Sequence, residues 1–320
     1  MELFLPVAQI AVNPLYLIAL GLSIGFLAGL LGVGGGSLMT PMLNILFGVP
    51  YNVAVGTDLA QLLGSSTSAS VRHGSFGHID YRLGFLMAAG SAMGIETGAQ
   101  LLTVVTKLRA VHLFGRTIPL LDLLLNTFYA LLLGWIATMV LRESLRNRGH
   151  EASKAIDDPL AEHFGEEAPI STVGEKLRRL QWGPMIALPA SGIAAISIWV
   201  VVGIGFFTGI LSGFLGIGGG FIRLPALIYL IGCPTLVAVG TDLFEIMLSS
   251  AFGAASHAMK GNVDLVLAVV LITGSSIGSV LGASFSRRVK PSRLRTIFAA
   301  VSILGVALVL FKLISLFSRP

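Results

Sequence analysis

The chain has 320 residues, of which 54% are apolar and 12% charged, with a mean hydropathy of +0.87 and a formal net charge of +5. Soluble domains carry about a quarter charged residues, so half that share excludes an ordinary water-soluble domain and points to an all-α polytopic membrane protein whose main partner is the lipid bilayer. The positive charge then reads as a topology signal: no basic patch interleaves with aromatics to support nucleic-acid binding, and the single cysteine, Cys233, allows no intrachain disulfide and indicates no metal cluster.

The first residues contain Glu2 and no Lys or Arg, unlike a cleaved signal peptide, so the first apolar segment is expected to stay. Apolar segments follow at 14–48, 53–71, 83–105, 118–141, 185–232, 236–258, 263–285 and 296–317. Most are near the ~20 residues that span a bilayer. The two longest each contain a glycine run, Gly32-Val33-Gly34-Gly35-Gly36 and Gly216-Ile217-Gly218-Gly219-Gly220. Four glycines in five positions strongly weaken a helix. Residues 15–31 are therefore read as one crossing helix, and 37–48 as a piece of only about 18 Å at 1.5 Å per residue. Residues 142–184 form a hydrophilic connector, with a short amphipathic helix near 172–181 as an option. The chain thus divides into an N-terminal membrane repeat (1–141), the connector (142–184) and a C-terminal membrane repeat (185–320).

The halves are copies. Superposing 32–59 on 216–243 without a gap gives 16 identities in 28 positions, including Pro41/Pro225, Gly48/Gly232, Pro50/Pro234 and Val53–Leu59 with Val237–Leu243. The same 184-residue offset continues through Ser65-Ser66/Ser249-Ser250, His73/His257, Gly77/Gly261 and Asp80/Asp264. Each half holds either four crossings or five membrane-embedded pieces. Four per half distributes Lys and Arg as 11 on one side and 8 on the other; five per half gives 14 against 5, leaving out Arg223 and Lys312 in apolar sequence. The positive-inside bias favours five. An odd number makes the repeats inverted and puts 142–184 and 286–295 in the cytoplasm.

A glycine loop that opens a helix exposes backbone N–H groups at a positive dipole end. Inside a bilayer those groups must be met by ligand, water or protein. Two short helices brought together by a pseudo-two-fold axis would form an anion site from Gly34, Gly35, Gly36 and Ser37 with Gly218, Gly219, Gly220 and Phe221. Close helix packing through small residues is the alternative. Arg223 follows the second run by three residues, where the first repeat has Met39; it suits an oxyanion or a pairing with Glu96, Asp242 or Glu245.

Thr57-Asp58 and Thr241-Asp242 read as helix N-caps, and as carboxylates recurring at one depth they are also candidates for a coupling proton or cation. Glu245 lies one turn beyond Asp242, with Gln61 as its counterpart, and Glu96 falls midway along 83–105; both join the coupling candidates. The serines near 65–70 and 249–250 read as helix contacts, with lining of the transport route as the alternative for some of them; Asn44 and Asn126 read as helix contacts, and His73 and His257 as interfacial residues.

The paired Gly-Leu-Leu-Gly-Val-Gly-Gly-Gly (29–36) and Gly-Phe-Leu-Gly-Ile-Gly-Gly-Gly (213–220), with Pro41/Pro225 and the duplicated Ala-Val-Gly-Thr-Asp, resemble the TauE/SafE family of sulfite exporters, also called the 4-toluene sulfonate uptake permeases. The resemblance covers the chain apart from 142–184. It implies a bacterial-type inner-membrane carrier of sulfite, sulfonates or related organosulfur or organic anions. The residues by themselves leave three classes: a secondary anion transporter using alternating access, an anion channel, and an intramembrane enzyme. The enzyme lacks support, since Ser37 has no membrane-depth His partner and His-Glu-x-x-His is absent. No nucleotide motif and no cofactor cage are present, so a proton or cation gradient is the expected source of energy, with simple facilitated exit as the alternative.

Overall fold

The computed structural model describes residues 2–31, 36–108, 110–113, 116–148, 174, 182–286 and 291–318. The described residues are almost all helical. The first half comprises α1 (Pro14–Leu31), α2 (Gly36–Phe47), α3 (Tyr51–Ser75), α4 (Tyr81–Lys107) and α5 (Leu120–Arg148). The second repeats them as α6 (Ile198–Leu215), α7 (Gly220–Pro225), α8 (Thr235–Met259), α9 (Leu265–Ser286) and α10 (Pro291–Ser318). Among the described residues each half therefore has five helical pieces. Among the described residues three antiparallel hairpins join or flank them: β1 (Leu3–Leu5) with β2 (Ile10–Val12), β3 (Ala110–Leu113) with β4 (Arg116–Pro119), and β5 (Met185–Leu188) with β6 (Ile193–Ser197). The apolar run from 185 is thus a hairpin first, and its helix begins only at Ile198. The option of a helix near 172–181 lies outside the described residues, Gly174 excepted.

Among the described residues, Ile198–Leu215, Leu236–Met259 and Leu265–Gly282 are long and apolar enough to cross a membrane. Their outward faces carry bare apolar side chains such as Phe207, Val269 and Ile277, which a bilayer accommodates and water does not.

The short helices end by local rules. Gly48 (φ +73°) and Gly232 (φ +79°) stop α2 and the π-helical turn Ala226–Ile231 that continues α7. Pro50 and Pro234 then stand at the N-caps of α3 and α8. This corrects the capping role expected for Thr57-Asp58 and Thr241-Asp242. Both helices begin at least a full turn earlier, so those residues are interior. The carboxylate caps belong to Asp80 and Asp264, whose Oδ1 atoms accept from Leu83 N and Leu267 N, each at 3.1 Å.

The halves are woven together by reciprocal contacts at the 184-residue offset. On α1, Gly21, Gly25 and Gly29 lie against Leu271, Ser275 and Ser279 of α9; on α6, Gly205, Gly209 and Gly213 lie against Met87, Ser91 and Ile95 of α4. Each of these six contacts is with backbone atoms of the partner helix, so the absent Cβ is what permits the approach. Both pairs run parallel. By contrast, α3 and α8 are antiparallel: Gly56 near the start of α3 meets Asn262 just past the end of α8, and Gly240 near the start of α8 meets His78 just past the end of α3. Thr57 Oγ1 accepts from Asp264 N (3.0 Å), and Thr241 Oγ1 from Asp80 N (2.9 Å). The hairpins follow suit, with Val7 N donating to Asp264 Oδ2 (2.9 Å) and Ser191 Oγ to Asp80 Oδ2 (2.7 Å).

Candidate functional site

The second glycine break lies against the start of α2 and against α3. A Cβ on Gly36 would fall 3.0 Å from the Ile217 backbone, one on Gly218 would fall 2.8 Å from Leu62 Cδ1, and one on Gly216 would fall 2.8 Å from Thr40 Oγ1. Gly34 and Gly35 lie outside the described residues, as does the side chain of Ser37. In the second repeat, Gly216, Gly218 and Gly219 take φ of +79°, +66° and +77°, a region costly to other residues. These angles turn the chain from α6 into α7, where Gly220 is the first residue and Phe221 is buried.

Arg223 lies under this turn, fully buried. Its Nε donates to Asp242 Oδ1 (2.6 Å), its Nη2 to the Gly218 carbonyl (2.8 Å), and its Nη1 pairs with Glu245 Oε2. Both carboxylates are also fully buried. A buried charge is tolerated when paired and hydrogen-bonded, and Arg223 meets that condition by bracing its own loop to α8. Of the partners weighed from sequence, it takes Asp242 and Glu245. Glu245 further accepts from Ser249 Oγ (3.3 Å) and lies beside Ser91. The repeat-related pair is Gln61 and Ser275, bonded at 2.6 Å.

The first repeat solves the same position differently. Asp58 is fully buried, with Met39 in the place of Arg223. Its Oδ2 accepts from Thr40 Oγ1 at 2.8 Å, and among the described residues its Oδ1 has no hydrogen-bond partner. Tyr129 of α5 donates to the Leu215 carbonyl at the edge of the second glycine turn and stacks on Tyr51, which donates to Asn126 Oδ1 (2.7 Å). Thr40, Ser91, Tyr129 and Ser275 escaped sequence reasoning. Ser91 and Ser275 sit at the 184-residue offset and were findable on that ground; nothing local marks Tyr129.

Glu96 stands apart from this cluster. It accepts from Lys260 Nζ (2.9 and 3.0 Å) and Ser256 Oγ (2.6 Å) at the far end of α8. His257, expected at an interface, is fully buried, with Nε2 2.9 Å from the Gly213 carbonyl. Cys233 is a buried free thiol 3.4 Å from Ser191 Oγ. Among the described residues no group of His, Cys, Asp and Glu has a metal-binding arrangement.

Duplicated helices, bare apolar outer faces and a buried ionic centre define a multi-pass membrane protein. The chain belongs to the Sulfite exporter TauE/SafE family, matched over residues 16–309. It is 27% identical over 295 residues to the probable membrane transporter protein YunE of Bacillus subtilis (strain 168), covering 90% of this chain and 94% of the relative. It is also 29% identical over 285 residues to the probable membrane transporter protein YjnA of the same organism, covering 89% and 95%. The probable membrane transporter protein MJ0441 of Methanocaldococcus jannaschii is 26% identical over 305 residues, covering 91% and 92%. No solved structure matches this chain.

Proposed function

We propose that the protein is a secondary carrier of small anions, of the sulfite, sulfonate and related organosulfur or organic acid class, working by alternating access between two inverted halves. One observation carries the reading. The second glycine break lies against the start of the short helix α2 in a molecule whose halves make reciprocal contacts at a constant offset, while the repeat-related helices α3 and α8 run antiparallel. Such an arrangement supports inverted repeats around a central site. Family membership and the names of the relatives support transport rather than catalysis. The membrane repeats are 1–141 and 185–320, with the 142–184 connector between them on the cytoplasmic side.

The anion would sit at the glycine turns, at Gly34–Ser37 and Gly218–Phe221, with Arg223 as its cationic ligand. In this conformation Arg223 is committed to Asp242 and Glu245. With Asp58, the described residues of the centre hold three acids against one guanidinium, and an anion adds a further negative charge. A proton on Glu245 would release one side of the guanidinium for the oxyanion, which suits its forked geometry. Proton uptake and anion binding then become one event, and a proton gradient supplies the energy; Asp58, Asp242 and Glu96 are the other coupling candidates.

The test is uptake into proteoliposomes across a panel of sulfite, thiosulfate, sulfonates and carboxylates. The expected result is saturable uptake of at least one sulfur oxyanion, accelerated by unlabelled solute on the far side. Flux that rises linearly with concentration and ignores the far side would assign a channel. Transport of carboxylates alone would overturn the solute class.

A further inference from the structure

The repeats are alike in sequence but not in how open they stand. A small cleft, open on one side, lies between the ends of α1 and α3 and the second half of α9, lined by Ser65, Ser66, Ser68, Arg72 and His73 along one face of α3. Ser66 and Ser68 donate to the Leu62 and Gly64 carbonyls (2.6 and 3.5 Å), whereas His73 Nδ1 has no hydrogen-bond partner among the described residues. Arg72 is exposed, and among the described residues no carboxylate lies within ion-pair distance of it.

The same offset carries this cleft onto Ser249, Ser250, Ser256 and His257, and there the space is shut. Ser249 and Ser256 are each 1% exposed and His257 0%, whereas Arg72 is exposed and Ser65 and His73 are half-buried. The His257 ring closes on the Gly213 carbonyl at 2.9 Å. Lys260 and Ser256 clamp Glu96, tying α8 to α4. The positions matching Glu96 and Lys260 at the open cleft are Val280 and Phe76, so this ionic tie cannot form there. Because α3 and α8 are antiparallel, the open and shut regions lie at opposite ends of the molecule.

We propose that the Ser65–His73 cleft is the access vestibule for a small oxyanion, recruited by Arg72 and His73, and that the Glu96–Lys260–Ser256 clamp is the closed gate over its repeat-related counterpart. This rests on the carrier reading and deepens it: one access is open while the other is latched, the exclusion on which alternating access depends. Lys260 and Glu96 are 19% and 35% exposed. A partly exposed ion pair is weak enough to open in each cycle, unlike the fully buried ties of Arg223. A guanidinium with no carboxylate partner among the described residues, beside an imidazole and hydroxyls, suits an oxyanion.

Thiol labelling tests this without any transported solute. With Cys233→Ala as background, Ser65→Cys and its equivalent Ser249→Cys are introduced separately into protein in nanodiscs, where both faces are reachable. An anionic methanethiosulfonate bearing a sulfonate is compared with a cationic one of similar size. The expected result is rapid labelling at 65 and little at 249. Adding Glu96→Gln should raise labelling at 249 by roughly tenfold or more. Adding Arg72→Gln should slow the anionic reagent at 65 by roughly tenfold while sparing the cationic one, as loss of a steering charge does. Equal labelling at 65 and 249, an inert 249 in monodisperse Glu96→Gln protein, or an Arg72→Gln effect that ignores reagent charge would each overturn the proposal. These readouts do not depend on flux, so they stand or fall separately from the uptake panel.

Discussion

Replacing Arg223 by Met removes the only cation bonded to Asp242 and Glu245 among the described residues, and imitates the first repeat, which has Met39 there. Three contacts go at once: Nε to Asp242, Nη1 to Glu245 and Nη2 to the Gly218 carbonyl. All three side chains are fully buried, so no solvent replaces what is lost. Breaking a buried pair from one side costs about 3–5 kcal/mol. At about 2–4 °C per kcal/mol for larger domains, the unfolding temperature should fall by roughly 10 °C. The measurement is thermal unfolding of purified protein in detergent, followed by tryptophan fluorescence with a check that the sample is monodisperse. Adding Asp242→Asn and Glu245→Gln should restore most of the loss, because the stranded charges become neutral hydrogen-bonding groups of the same shape. Single-variant unfolding within a degree of wild type would refute the claim that Arg223 holds this centre together. A triple variant no more stable than the single one would refute the electrostatic explanation.

Four further outcomes follow from the geometry. Gly209→Val should destabilise by about 1–3 kcal/mol, because its Cβ would fall 2.5 Å from the Ser91 carbonyl oxygen, whereas Gly203→Val, with nothing within 4 Å, should be nearly silent; equal thermal shifts would contradict the packing account. Gly219→Val should abolish transport in a folded protein, since φ is +77° and the new Cβ would lie 3.2 Å from Arg223 Nη1; unchanged solute affinity would leave the glycine a packing role. Glu245→Gln should lose accumulation driven by a pH gradient yet keep solute exchange, and a variant that still accumulates would move the coupling role away from Glu245. Reporter fusions should read cytoplasmic within 142–184 and external after residue 317; a cytoplasmic reading at the second position would favour four crossings per half.

Much of the architecture is legible in the residues alone. Composition demands a membrane, the ungapped offset exposes the duplication, and glycine with proline marks where the second long segment breaks and where both short helices end. All of these act over a few neighbouring residues or through bulk polarity. Helix starts were harder. Gly-Thr-Asp reads as a cap, yet the helices begin earlier, after Pro50 and Pro234, and Thr57 and Thr241 instead receive N–H groups from the opposite half. Only the tertiary structure decided such partnerships. It set Arg223 among Asp242, Glu245 and the Gly218 carbonyl rather than with Glu96, joined Glu96 to Lys260, and left the cleft open on one repeat and shut on the other. Periodicity says which face of a helix is apolar, but not which helix of the other repeat lies against it. That choice depends on where glycine lets two backbones approach, and on the need of every buried charge for a partner that can be far away in sequence.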